Sequence, residues 1–296
     1  MRSSRQFFEP AATIQIVESS RAHDLERKLD ALRRFFEGKK VVVAFSGGVD
    51  SGLLAYLAGK HAEEALLVTE RSVLYPDEEV EAARGFAERH GIPHVVLDRD
   101  PLKDGEFVAN PPERCYLCKK GLYRDISALA RERGYEVVVD GTNHDDLGDH
   151  RPGFKAVVEL GVAAPYVDLR VGKDEIRAMA RTLGLSLAEK PSMACFSSRI
   201  PFRQTIDGEK LRRVRESERF LRRRFGLAQL RVRHHGDRLA RVEVPADRIA
   251  ELASPEARKE VVDALKSLGF AFVTLDLCGF VSGSMNATLD DGEEKN

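Results

Sequence analysis

Apolar positions along the chain switch between a helical period and strand-like runs, and the switching is regular enough to read a fold from it. From Arg21 the spacing is helical, with Leu25, Leu29, Leu32 and Phe36 on one stripe and Gly38 ending the run. Residues 1–20 carry little period and are expected to form a loosely ordered lead-in. Val41 to Phe45 is a continuous apolar run of strand length, as a strand buried on both faces reads. Leu53, Leu54 and Leu57 then open a helix after a Gly-Gly turn. The unit repeats: ALLVT from Ala65 reads as a strand, residues 76–91 as a helix started by Pro76 and stopped by Gly91, and PHVVLD from Pro93 as a third strand. A polar loop, a helix from about Cys118 to Arg133 and a fourth strand, EVVVD from Glu136, follow. GKDEIRAMARTLGL is a further helix with charges in its first turn.

Strands alternating with helices predict the α/β class, with a mostly parallel sheet covered on both faces. Ligands of such sheets lie outside the carboxyl ends of the strands. Three polar segments fall there: SGGVDS (Ser46 to Ser51), Thr69 to Ser72, and GTNHDD from Gly141. The stretch SLAEKPSMACFSSRIPFRQTID has no period and reads as a functional loop or a domain joint. Past Asp207 the texture changes to an Arg-rich helix ending at Phe225, two alternating runs joined at Gly236-Asp237, more helical material and a strand FVTLDL. That pattern predicts a small α+β domain. The expected division is a lead-in over 1–20, a first domain over 21–203, a second over 204–288, and a disordered acidic tail over 289–296.

Composition narrows the function classes. At 296 residues, 43% hydrophobic and a net charge of −1, the chain has the make-up of a soluble globular protein. No run reaches the length of a membrane helix and the first ten residues lack a signal-peptide core, so a cytoplasmic protein is expected, with no membrane partner. The balanced charge argues against nucleic acid as the partner. RRVRESERFLRRRFG interleaves arginines with glutamates and has few aromatics, so it reads as an exposed helix face. His144, His234 and His235 lack partners at ligand spacing and read as ordinary polar residues. In a reducing compartment the four cysteines are expected to stay free of disulfides, so each is a small buried hydrophobe or a working thiol.

A buried strand turning through two glycines into a helix is a phosphate-binding arrangement. Glycine lets backbone N–H groups approach the oxygens, and the helix N-terminus favours an anion. Ser46, Gly47, Gly48, Val49, Asp50 and Ser51 form this loop, with two hydroxyl donors and a carboxylate able to hold a metal ion or cap the helix. The plainer reading is a tight turn. The loop lacks the Gly-Lys-Ser/Thr ending of a Walker A sequence and is not GxGxxG. It resembles the PP-loop of the ATP pyrophosphatase superfamily, and Gly141, Thr142 and Asn143 with the acidic pair after them resemble its second element. With Thr69 at the neighbouring strand end, these residues are the expected ATP contacts.

Two further stretches, NPPERCYLCKKGLY and KPSMACFSSRIPF, together with the ending LDLCGFVSGSMN, resemble the LarE family over nearly all of Arg21 to Asn286. Near the chain end the family usually reads glycine-tyrosine-arginine, where this sequence has GFVSGS. The resemblance implies a parallel sheet of the adenine-nucleotide alpha-hydrolase (PP-loop) type with a second, smaller α+β domain. It also implies an ATP-dependent sulfur transferase, expected as a homo-oligomer. The implied substrate is a small molecule, pyridinium-3,5-biscarboxylic acid mononucleotide, whose carboxylates become thiocarboxylates for the nickel-pincer cofactor of lactate racemase. In one branch of the family a single cysteine, here Cys195, gives up its own sulfur and becomes dehydroalanine. In the other, three cysteines hold a [4Fe-4S] cluster that carries an extra sulfide, and Cys115, Cys118 and Cys195 match that pattern.

Thiolates ligate such clusters, and C-x-x-C lets two of them reach neighbouring corners. The competing zinc site wants four closed ligands. Cys278, inside the strand-like FVTLDLCGF, reads as a buried hydrophobe instead of a fourth ligand. The resemblance also places substrate contacts at Ser197, Ser198, Arg199, Arg231 and Arg233, catalysis at Cys195 and Asp50, and Mg2+ at Asp50, Glu218 and Glu243. Without it, Arg231 and Arg233 would be a solvated β-surface and the serines would merely shape a polar loop. A tRNA thiolase and a non-catalytic nucleotide sensor with structural zinc remain alternatives.

Overall fold

The computed structural model describes residues 10–148, 152–191 and 194–285. The acidic tail expected over 289–296 and the first nine residues of the lead-in lie outside them. Helix α1 (Pro10–Phe36) starts earlier than the apolar stripe, because no glycine or proline follows Pro10 to break it and proline suits a first helical turn. Then come β1 (Lys40–Ala44), α2 (Val49–His61), β2 (Glu64–Arg71), α3 (Asp77–His90) and β3 (His94–Asp98). A one-turn helix α4 (Gly105–Val108) precedes α5 (Arg114–Glu132), which is followed by β4 (Val137–Val139), α6 (Gly153–Glu159), α7 (Pro165–Asp168) and α8 (Lys173–Thr182). Helix α5 begins four residues before the expected Cys118, after Pro111, Pro112 and the N-cap Glu113, so Cys115 sits on its first turn.

The four strands form one parallel sheet in the order β3-β2-β1-β4. Strand side chains alternate faces. Val41, Val43 and Phe45 enter a core with Leu32, Phe36, Leu53, Leu57 and Met179, whereas Val42, Leu66 and Val68 enter a second core with Tyr123, Ile126 and Val157. Val41, Val42 and Val43 are fully buried, each contributing about 1.5–3 kcal/mol as an upper estimate. That double burial is why β1 reads as an unbroken apolar run.

The remaining elements are α9 (Gly208–Phe225), β5 (Arg231–His235), β6 (Leu239–Glu243), α10 (Ile249–Ala253), α11 (Pro255–Ser267) and β7 (Phe272–Leu275). Strands β5 and β6 pair antiparallel, and β7 joins β6 in parallel at the edge. Val232, Ala240 and Val242 face a separate core under α9 and α11. The opposite face carries Arg231, Arg233, Arg241 and Glu243, nearly all of it buried, so it is not a solvated surface. His234 is also buried, and desolvation, followed by the charge of Arg213, lowers its pKa to about 4.

Between the two sheets a fourth apolar cluster joins Leu74, Phe107, Phe196 and Ile200 to Leu211 and Val214 of α9, with Cys118 and Cys195 packed against it. The residue 203/204 boundary thus falls inside a packed seam. Cys278 departs from expectation: β7 ends at Leu275, and Cys278 is exposed in the turn that follows, its N–H donating to Asp276 Oδ1. Among the described residues no helix is long and apolar enough to cross a membrane.

Candidate functional site

The Ser46–Ser51 loop leaves β1 at its carboxyl end and enters α2, with Gly47 at φ +72°, a conformation that favours glycine. Ser46 and Ser51 brace it: Ser46 N–H donates to Ser51 Oγ at 3.2 Å, and the two hydroxyls lie 3.1 Å apart. No side chain caps the start of α2, which leaves its first-turn N–H groups to a ligand oxygen. Gly141, after β4, packs so closely that a Cβ there would lie 3.0 Å from Ser51 N. The second polar element therefore touches the first, and a larger residue at 141 would push them apart.

Around this loop the fold gathers cations that periodicity did not single out. Lys190 Nζ donates to Gly47 O at 2.9 Å and to Glu79 at 2.6 Å, tying the loop to α3. Lys173 donates to Asp50 Oδ2, while Asp50 Oδ1 is buried and takes no hydrogen bond. Asp140 accepts from Thr142 N–H at 2.8 Å, from the Thr142 hydroxyl and from Tyr123, and faces Lys119 at 3.6 Å. Burial pushes its carboxyl up, but Lys119 and these hydrogen bonds outweigh that and hold it below the ordinary range. Thr69 donates to Phe45 O at 2.7 Å and meets His94 at 2.8 Å, so it is structurally engaged as well as facing the cleft. Asn143 Oδ1 accepts from Asp145 N–H at 3.0 Å and shapes the turn.

The cleft has a volume of about 300 Å³. Ser46, Asp50, Ser51, Thr69, Gly141 and Thr142 line it together with Glu70, Tyr75, Cys118 and Lys119. The phosphate loop and one thiol of the C-x-x-C pair thus share a cavity. Cys115 and Cys118, three apart on α5, project to one side of the helix. Burial raises the Cys118 thiol well above its ordinary value, with further increments from Glu70 and from the neighbouring Cys195 and Cys115. Tyr75 lines the same cleft and packs against the same apolar cluster as Cys118 and Cys195, and burial raises its hydroxyl well above the ordinary value. Among the described residues no three His, Cys, Asp or Glu side chains are arranged to hold a single metal ion.

Cys195 opens the short helical turn Phe196–Arg199, with Sγ 2.9 Å from Ser197 Oγ. Arg199 anchors that turn from below. Its guanidinium, fully buried, donates to Ala194 O, Cys195 O and Ser198 Oγ, and grips Glu218 through two hydrogen bonds of 2.8 and 3.1 Å. Glu218 also accepts from Arg222 and Val232 N–H. Glu243 is likewise fully buried and engaged by Arg233, Arg241 and Ser284. Arg233 reaches across to Ser198 O at 3.2 Å.

Arg231 differs from its neighbours, since among the described residues no carboxylate pairs with it. Its guanidinium donates to Leu230 O and lies over the Phe280 ring at 5.0 Å. Desolvation, then repulsion from Arg199, lowers its pKa to about 10.

Several known proteins are similar to this chain in sequence. The asparagine synthase family profile matches residues 29–143, which hold the loop, the C-x-x-C pair and the GTN element. An uncharacterized Synechocystis protein is 40% identical over 90% of this chain and 99% of its own length. The pyridinium-3,5-bisthiocarboxylic acid mononucleotide synthase of Lactiplantibacillus plantarum is 37% identical over 85% of this chain and 90% of its own. A tRNA-specific 2-thiouridylase of Methylorubrum extorquens is 30% identical over 51% of this chain and 49% of its own.

Proposed function

The chain belongs to the LarE family of PP-loop proteins, and from that premise we propose that it uses ATP to convert carboxylates of pyridinium-3,5-biscarboxylic acid mononucleotide into thiocarboxylates. The observation that carries this reading is the shared cleft, in which Ser46, Asp50 and Thr142 face the same cavity as Cys118. An activated carboxylate formed at the loop is there within the enclosure that Cys118 borders. The tRNA thiolase alternative rests on a likeness covering about half of each chain.

In this reading the N–H groups of the loop and the Ser46 and Ser51 hydroxyls hold the ATP phosphates, with Lys119 beside them. The adenylyl group passes to a carboxylate oxygen as pyrophosphate leaves. A sulfur nucleophile then attacks the carboxyl carbon, and AMP departs as the C–S bond forms. Leu122, Ile126 and Val80 give the cleft an apolar wall beside the phosphate loop.

Mg2+ fits at Asp50, whose Oδ1 is buried without a partner, because such ions take one or two carboxylates plus substrate phosphates. Glu218 and Glu243 fit it less well, since guanidinium groups already occupy their oxygens. Cys118 and Cys195 packed against one apolar cluster, with Cys115 one turn before Cys118 on α5 and Cys278 lying off in the turn after β7, fit a cluster with three protein corners better than a four-ligand zinc. Cys115, Cys118 and Cys195 would hold the [4Fe-4S] cluster, which supplies a transferable sulfide when bound. Homo-oligomer formation belongs to the same proposal and is supported by Phe272 and Leu277, 68% and 85% exposed.

The direct test is pyrophosphate release, expected only when ATP, Mg2+ and the pyridinium mononucleotide are all present. Release of none would leave a nucleotide-binding sensor, and tight, salt-sensitive tRNA binding without turnover of the mononucleotide would indicate a thiolase. Arg231 adds a graded test. An underpaired buried guanidinium suits a substrate phosphate, so Arg231→Gln is expected to raise the mononucleotide KM about ten- to hundredfold, the worth of a charge-assisted hydrogen bond. The KM for ATP should stay unchanged.

A further inference from the structure

The CxxC helix and the Cys195 loop are about eighty residues apart in sequence, and their approaches are joined by Asn110 and Arg114 together with the backbone bond from Ile206 N–H to Val108 O. Asn110, five residues before Cys115, is fully buried and has φ +57°. Its amide donates to Pro201 O at 2.7 Å and Gln204 O at 2.9 Å, with a longer contact to Ile200 O at 3.4 Å. Its Oδ1 accepts from Arg114 at 2.6 Å, and its backbone O accepts from Arg203 N–H at 2.8 Å. Arg114 is itself buried over the Phe202 ring and donates to Ile200 O at 3.2 Å. Ile200 is five residues past Cys195. The staple therefore sits an equal chain distance from Cys115 on one side and Cys195 on the other.

Asparagine is one of the few side-chain-bearing residues that accept a positive φ. A glycine would satisfy that backbone as well, but only an amide also donates to loop carbonyls while accepting from an arginine. Backbone conformation alone does not call for this residue.

We infer that Asn110 is a positioning residue, whose amide fixes the separation between the thiols on α5 and the thiol of Cys195. The inference rests on the reading of those cysteines as one sulfur-handling set, yet it concerns a distance in the protein and can be tested without substrate. In a Cys115→Ser, Cys278→Ser background the remaining thiols are Cys118 and Cys195. Dibromobimane, a two-armed alkylating reagent, should link them, and the linked peptides are read by mass spectrometry.

Asn110→Gly keeps the positive φ and removes the amide. It is expected to slow linkage about tenfold, in line with losing the geometry that a net hydrogen bond or more maintained. Single-site alkylation by iodoacetamide should not slow, and the thermal midpoint should still show one cooperative transition. If Asn110→Gly links Cys118 to Cys195 as fast as its background, or if the background itself does not link, the inference is overturned. Asn110→Asp, which keeps the acceptor and loses the amide donors, is expected to behave as the glycine variant does; linkage at the background rate would also overturn it. A failure of ATP- and substrate-dependent pyrophosphate release in the unmodified protein would instead remove the proposed function and leave this distance test standing.

Discussion

Changing Cys195 to alanine is expected to leave ATP- and substrate-dependent pyrophosphate release in place while abolishing thiocarboxylate formation. The two readouts separate because Arg199 holds this loop through the Ala194 and Cys195 carbonyls, not through the thiol. Removing Sγ costs the contact to Ser197 and little of the clamp. The phosphate loop, braced by Ser51, Lys190 and Lys173, draws nothing from Cys195. Loss of adenylation along with sulfur transfer would mean that the thiol acts earlier than proposed.

The colour and mass of the unmodified protein distinguish the two sources of sulfur. After anaerobic reconstitution with iron and sulfide, brown unmodified protein and colourless Cys115→Ala, Cys118→Ala and Cys195→Ala variants would support three protein corners. Colourless unmodified protein that loses the mass of one hydrogen sulfide per turnover would instead support sacrifice of Cys195. In that route the thiolate displaces AMP to form a thioester. Loss of the Cα proton to a base then breaks the Cβ–S bond, leaving dehydroalanine on the protein and the thiocarboxylate as product.

How far these residues were readable depends on whether their signal is local. Strand β1 announces itself because both of its faces are buried, and the loop after it because glycine and serine interrupt an apolar run at one point. The pairing of GTN with that loop was also within reach, since both follow strands that become neighbours in a parallel sheet. Lys173, Lys190 and Lys119 were not, because a lysine on a helix or before a proline looks the same whether it faces solvent or, as here, Asp50, Glu79 and Asp140. Asn110 was hidden for a related reason: the loop carbonyls it donates to are 90 to 94 residues away, and NPP by itself reads as a turn. Cys278 was misplaced because LDLCGF continues the apolar texture of β7 after the strand has ended at Leu275. For Arg231 and Arg233 alternation alone left a solvated face as the plain reading, since it shows which residues share a side, not which side is covered; only the resemblance pointed to substrate contacts there.

Glu218→Ala is expected to cost about 3–5 kcal/mol of stability, the largest effect of any single change in the seam, because it leaves the Arg199 charge buried and unpaired. Glu218→Gln keeps the shape and two acceptor lone pairs and should cost less. The pH dependence gives an independent reading. Burial raises the Glu218 carboxyl, but Arg199 and then Arg222 and the Val232 N–H outweigh it, so its folded pKa lies below the ordinary value of 4.5. A depressed carboxyl contributes its full stability above the unfolded value and loses it as pH falls through the folded one. The stability gap between the parent and Glu218→Gln should therefore be widest near neutrality and close at pH values below about 4.5, as followed by urea unfolding. Replacing Arg199 with methionine and Glu218 with leucine together should recover much of the stability that the alanine variant loses, since no buried charge is stranded between them. It should not recover sulfur transfer, because Cys195 O and Ala194 O lose the guanidinium that holds them. A double variant that is stable and fully active would show that the ion pair supports the seam alone and has no part in placing the Cys195 loop.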